Sequence, residues 1–176
     1  TGTCSVIANQ FAAENYDLIL ANATPTLQAC AIATNSIPVL ATSITNFAAA
    51  LDIELDENGC TGINVSGTND LAPLDEQAKL LMDLCPDAKN IGILYCSAEI
   101  NSVYQAEHIK PYFEEAGISY KDYSFADSND LQAVVSMAAQ SCDAIYIPTD
   151  NTAASNAELI DALTGTAGIP VITGDD

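Results

Sequence analysis

The sequence predicts an α/β protein made of two lobes, each built on a parallel sheet. Three observations point there. Short apolar runs alternate with longer amphipathic ones along most of the chain. A strand, loop, helix and strand unit occurs twice: it opens at Asp17-Leu18-Ile19-Leu20-Ala21 and again at Asp143-Ala144-Ile145-Tyr146-Ile147, and each copy reaches a second strand that begins Ile-Pro-Val, at Ile37-Pro38-Val39 and Ile169-Pro170-Val171. Between the copies, Leu51 to Asp70 turns rich in Asp, Glu, Asn, Gly and Thr. The lobe boundary is placed there, with 1–68 in the first lobe, 69–176 in the second and a hinge crossing near 66–72. A length of 176 residues suffices for one ordinary domain or two small lobes.

The elements follow in order. Strands are expected over 18–21, 39–41, 91–96, 120–124, 144–147 and 171–173, where β-branched and aliphatic residues cluster or, over 120–124, tyrosines stand among polar residues. Helices are expected over 5–15, 25–35, 73–84, 102–116, 129–140 and 153–165. Pro25 and Pro73 stand where a first helical turn tolerates proline. Asp127 to Asp130 offer cap oxygens to the helix that follows. The stretch Gly62 to Gly67 reads as an extended crossing strand, and the residues before it read as an exposed loop. Strand and helix alternating at this spacing form βαβ units, hence parallel sheets.

Composition removes several function classes. There are 24 acidic side chains against four lysines (Lys79, Lys89, Lys110 and Lys121) and no arginine. Nucleic acid and anionic lipid surfaces need clustered cations and are excluded. The missing arginine also removes the bidentate clamp for a carboxylate or phosphate, so an anionic ligand group must be held by backbone N–H groups, hydroxyls or amides. No run approaches the ~20 apolar residues of a membrane helix, so a soluble chain is expected. No charged and apolar leader follows Thr1. The six cysteines show no CxxC pair or metal spacing, and Cys30, Cys96 and Cys142 sit in apolar segments as buried thiols. No metal or cofactor motif, GxSxG or Walker loop is present. The single histidine, His108, falls inside a helix beside Glu107 and Lys110 and reads as a surface residue. Cys96 closes a strand without a base near it in sequence, so no catalytic residue is assigned and the chain is not read as an enzyme.

In parallel α/β sheets, ligands bind outside the carboxyl ends of the strands. The loops there are Asn22 to Thr26, Thr42 to Asn46, Ser97 to Ser102, Pro148 to Thr152 and Gly174 to Asp176, all carrying hydroxyls, amides or carboxylates. The same residue types are ordinary N-caps, so capping and ligand contact compete at Thr24, Ser97 and Thr149, while Thr45 and Asn46 lean toward structure. Glu99, Asp150 or Asp175 could pair with a ligand amine, which together with hydroxyls and amides suits an amino-acid-like zwitterion.

Runs 143–152, 93–102 and 62–73 (which contains Gly67-Thr68-Asn69-Asp70), with 17–25 and 169–175 in the same order, resemble the ABC transporter substrate-binding protein family of the tryptophan/tyrosine type. The resemblance spans nearly the whole chain. It implies two Rossmann-like lobes of the periplasmic-binding-protein class I fold with a ligand cleft between them. It implies capture of a small molecule, an amino acid with aromatic ones weakly favoured, and delivery to an ABC permease in the membrane. It implies an extracellular or periplasmic protein, lipid-anchored to the outer face of the cytoplasmic membrane. By the family's motif positions, Thr24, Thr42, Ser43, Asp70, Ser97, Glu99, Asn101, Ser102, Asp150, Asn151 and Asp175 fall at the cleft. It also implies a leading βαβ region ahead of Thr1 and closing segments beyond Asp176, so the fold is read as incomplete at both termini. The family often has Asn where Cys96 stands, and this chain has no tryptophan to form a stacking platform. The competing readings are a ligand-sensing domain of a signalling protein and a Rossmann-like enzyme.

Overall fold

Apolar runs too short for a helix and bounded by helical segments have one stable outcome, a sheet whose strands are joined by crossover helices. The computed structural model describes residues 2–174 and shows this twice. The chain divides into two compact units, one ending at Leu71 and one beginning at Ala72. No helix among the described residues is long and apolar enough to cross a membrane.

The first unit runs α1 (Gly2–Glu14), β1 (Ile19–Asn22), α2 (Thr24–Ala33), β2 (Val39–Ile44), α3 (Phe47–Leu51) and β3 (Val65–Asn69). Its sheet is parallel with order β1-β2-β3. Residues facing one side, Ile19, Ala21, Val39, Ala41 and Val65, bury against Ala8, Leu27, Ala29 and Cys30 of the helices. The segment expected as an extended strand enters this sheet as its third strand: Val39 pairs with Val65 and Ala41 with Gly67. Gly67 is required there, because a Cβ would stand 1.9 Å from the Ala41 carbonyl oxygen. Just past that pair the register shifts between Ala41 and Ile44, and Ser43 takes a left-handed φ of 57°. A bulge of this kind re-aims the side chains at a strand's end.

The second unit runs α4 (Leu74–Leu84), β4 (Asn90–Cys96), α5 (Ile100–Glu115), β5 (Ser119–Phe125), α6 (Ser128–Ser141), β6 (Ala144–Ile147), α7 (Asn151–Ala154), α8 (Ala157–Ala167) and β7 (Val171–Thr173). Its sheet is parallel with order β5-β4-β6-β7. β4 and β6 are central and buried on both faces, which explains their unbroken apolar runs. One face packs Ile91, Ile93, Tyr95 and Tyr146 on Leu81 of α4 and on Ala106, Ile109 and Phe113 of α5. The other packs Leu94, Phe125, Ile145 and Ile147 on Leu131 and Val135 of α6 and Ile160 of α8. At the amino edge, Asp143 accepts from the Lys89 and Asn90 backbone N–H groups at 2.8 and 2.9 Å, locking the start of β6 to the start of β4. Those two bonds hold its carboxyl below the usual range. Asp127 caps α6 by accepting from the Asn129 N–H, as the sequence anticipates. The helix expected over 153–165 is two helices, because Asp150 caps a separate short turn at 151–154 before α8 begins.

Two substitutions check the first unit's backbone. Gly67→Ala forces a methyl into the β2 backbone and is expected to cost about 3 kcal/mol. Ala23, at φ 72° and ψ 154°, holds a conformation that suits glycine. Ala23→Gly is expected to raise stability by about 1 kcal/mol, opposite to most Ala→Gly changes. Urea denaturation of both variants reads the two signs.

Candidate functional site

Parallel strands end on the same edge, so each unit carries its strand-end loops along one rim. In the second unit the chain leaves β4 sideways to β5, then returns past β4 to β6. Helices α5 and α6 therefore lie on opposite faces, and the loops after β4 and β6 flank the switch point between those strands. Open α/β sheets receive ligands at that point.

Six of the sequence candidates, Ser97, Glu99, Asn101, Ser102, Asp150 and Asn151, lie on these two loops and the helix starts beside them. Asp150, only 1 % exposed, caps α7 through the Ala153 N–H at 2.8 Å. Its other oxygen accepts from the Cys96 N–H at 2.6 Å, a donor at the end of β4. Burial pushes the Asp150 carboxyl above the usual aspartate range, with the Glu99 charge adding to it, against the pull of the Cys96 and Ala153 N–H groups. Glu99 reaches the opposite way, from the β4 loop to the β6 loop. Its carboxylate accepts from the Asn151 N–H at 3.0 Å, the Asn151 side-chain amide at 2.7 Å, the Thr152 N–H at 2.9 Å and the Thr152 hydroxyl at 2.6 Å. Burial works to raise its pKa, but the Thr152 and Asn151 donors outweigh it and hold the carboxyl below the usual glutamate range.

Asn101 and Ser102, both buried in the first turn of α5, donate to the Thr149 carbonyl at 3.0 and 3.2 Å. The Asn101 side-chain oxygen, Oδ1, is buried and has no donor. Ser97 is exposed and its hydroxyl donates to the Phe125 carbonyl at 3.1 Å. The rim of this unit is therefore a continuous hydrogen-bonded seam with Ser97 and Asn151 turned outward.

Thr24, Thr42, Ser43 and Asp70 belong to the rim of the first unit. Thr24 is buried in the first turn of α2, and the Thr42 carbonyl accepts the Ala23 N–H at 3.0 Å. Ser43 is exposed on the bulge, and Asp70, also exposed, donates its N–H to the Ile44 carbonyl at 3.0 Å. Asp175 lies outside the described residues.

Three contributors were not among the residues singled out from the sequence. Thr152 supplies two of the donors to Glu99. Gln105, fully buried, accepts from the Thr149 N–H at 3.4 Å. Gln77 of α4 accepts the Tyr146 hydroxyl at 2.6 Å and donates to the Gly174 carbonyl at 3.4 Å. The signal for Gln105 was present: Asn101, Ser102 and Gln105 share a helix face with Ala106, Ile109 and Phe113, and polar residues in an apolar stripe need partners.

The Cys96 thiol is buried, which pushes it above the usual thiol range, away from the thiolate form a nucleophile needs. His108 is exposed and stacks on Tyr104 with ring centres 3.9 Å apart. Among the described residues no group of three or more His, Cys, Asp or Glu is placed to hold a metal. A groove of about 320 Å³ starts at the rim, where Pro148, Asp150 and Ala153 line it, and continues between β7 and α8 to Ile169.

Known proteins resemble this chain over nearly its whole length. Residues 1–176 match the family described as ABC transporter substrate binding protein. The tyrosine-binding protein of Clostridioides difficile strain R20291 is 31% identical over 175 residues, which are 99% of this chain and 50% of that protein. A crystal structure from Streptococcus pneumoniae, described as an ABC domain in complex with L-Trp, superposes with a TM-score of 0.92 at 32% identity, over 98% of this chain and 59% of that one. A conserved domain protein from Vibrio cholerae gives 0.91 at 32% identity, over 99% of this chain and 58% of that one. The chain thus spans about half the length of the curated relative it matches. It belongs to the ABC transporter substrate-binding protein family, with its periplasmic-binding-protein-like α/β fold.

Removing the Asp150 carboxylate strands a buried strand-end N–H and an N-cap at once. Asp150→Ala is expected to cost about 2 kcal/mol at neutral pH. Because the folded-state pKa of Asp150 is raised, its contribution is fullest below the ordinary aspartate value and declines as pH rises through the folded value. The penalty measured by denaturation is therefore expected to be larger at pH 4 than at pH 7, and the reverse order would contradict the assignment.

Proposed function

We propose that this chain forms the ligand-capturing part of a solute-binding protein of an ABC importer, and that its ligand is an amino acid. The observation that carries the reading is the seam at the switch point, where two polar loops stand over the ends of β4 and β6. Family membership supports it. So do relatives whose descriptions give tyrosine and L-tryptophan as what they bind. On this reading the chain captures and releases without making or breaking covalent bonds. The protein works outside the cytoplasmic membrane, lipid-anchored there, and hands its ligand to a permease.

The candidate contacts are Thr24, Thr42, Ser43 and Asp70 in the first lobe and Ser97, Asn101, Ser102, Asn151 and Asp175 in the second, with Glu99 and Asp150 behind them. With no arginine in the chain, the ligand carboxylate is held by hydroxyls, amides and backbone N–H groups. Such neutral donors discriminate by geometry and contribute about 1 kcal/mol each.

Titration calorimetry of the full-length protein against the amino acids tests the reading. Saturable binding is expected for at least one of L-tryptophan and L-tyrosine. Ser97→Ala is expected to weaken it by about 1 kcal/mol, the loss of one hydrogen bond. Absence of heat with every amino acid contradicts the proposal.

A further inference from the structure

We infer that Glu99 is a positioning residue: its carboxylate ties the loop after β4 to the first turn of α7 and so sets where the ligand-facing groups of both loops stand. The inference rests on the binding role proposed above. It departs from the simplest use of an acid in an amino-acid site, which is to pair with the ligand's ammonium group.

A carboxylate has about four acceptor positions. In Glu99 the N–H and side-chain amide of Asn151 occupy one oxygen, and the N–H and hydroxyl of Thr152 occupy the other, all between 2.6 and 3.0 Å. The Asn101 amide adds a longer contact at 3.4 Å to the first oxygen. No position is left for a ligand ammonium unless a protein donor is displaced. The neighbouring acid, Asp150, is buried and has one oxygen bonded to the Cys96 N–H and the other to the Ala153 N–H.

The need for such a tie follows from helix geometry. The first N–H groups of a helix have no acceptor inside it. In α7 those of Asn151 and Thr152 go to Glu99, and that of Ala153 goes to Asp150. Glu99 supplies from another loop what a local cap cannot reach. The 52-residue separation of Glu99 and Asn151 makes the bond a long-range constraint on the rim. The titratable groups facing Glu99 are Asp150 on the β6 loop and Cys96 at the end of β4. The lowered pKa of Glu99 means that the tie is complete above the ordinary glutamate value and loosens as pH falls through the folded value.

Amide hydrogen exchange on this chain reads the tie without any ligand. In Glu99→Gln one carboxylate oxygen becomes an amide that faces donors. Protection of the Asn151 and Thr152 N–H groups is expected to fall by about tenfold or more, while Ile93 and Ile145 in the sheet keep theirs. Thr152→Val, which removes one donor and leaves the carboxylate, is expected to give a smaller loss at the same amides and covers the case in which the Gln variant folds poorly. Unchanged protection at residues 151 and 152 in both variants overturns the tie.

Calorimetry of the full-length protein then reads positioning. Amino-acid affinity is expected to drop in Glu99→Gln at pH 7, and wild-type affinity to decline as pH falls below the ordinary glutamate range, a decline the variant lacks. Lost amide protection with affinity and pH profile unchanged overturns the positioning role. A wild-type protein that binds no amino acid overturns the proposed function and with it the positioning role, while the exchange result still decides the tie.

Discussion

Two carboxylates and the backbone donors they satisfy organise the strand-end rim of the second unit. A doubly wound sheet sends its helices to opposite faces at the switch point, and that divergence leaves polar backbone uncovered between β4 and β6. The last N–H of β4 and the first three N–H groups of α7 have no partner in their own elements. Asp150 and Glu99 accept them, each reaching across to the other's loop. Both halves of the seam are charge-assisted and partly or wholly shielded from water, which strengthens their hydrogen bonds.

The composition explains why the seam takes this form. With four lysines for 24 acids, most carboxylates cannot be neutralised by a cation. Lys110 pairs with Glu107 and Asp122 on the outside of the second unit. Inside, acids are held by amides and hydroxyls. The same chemistry is what remains for an anionic ligand group, so the stabilisation of the rim and the recognition proposed for it draw on one set of donors.

The parallel sheets, the two-fold repeat and the central strands were legible in the sequence because period and run length report burial directly. The Ile-Pro-Val openings at 37–39 and 169–171 do lead into β2 and β7. Short elements were not legible. The five-residue α3 and four-residue α7 are shorter than the window in which helical periodicity shows, whereas the strand at Val65–Asn69, with one buried residue, was read only as an extended stretch over 62–67. Gly67 read as a mark of extended backbone, yet its need comes from the Ala41 carbonyl across the sheet. The rim loops were found because strand ends collect polar residues. What their side chains do was not, since spacing along the chain cannot show Glu99 reaching Asn151 or Asp150 reaching Cys96. Those partners are set by the sheet order, which places β6 beside β4 although β5 and α6 come between them in sequence.

The most direct test of the account is the position of a bound amino acid in a crystal structure of the full-length protein grown with L-tyrosine or L-tryptophan. The account requires the ligand to contact the loops at 97–102 and 148–152, with Glu99 still bonded to Asn151 and Thr152 and Asp150 still bonded to Cys96. A ligand seated away from those loops, or an ammonium group bonded to Glu99 in place of Thr152, would contradict it.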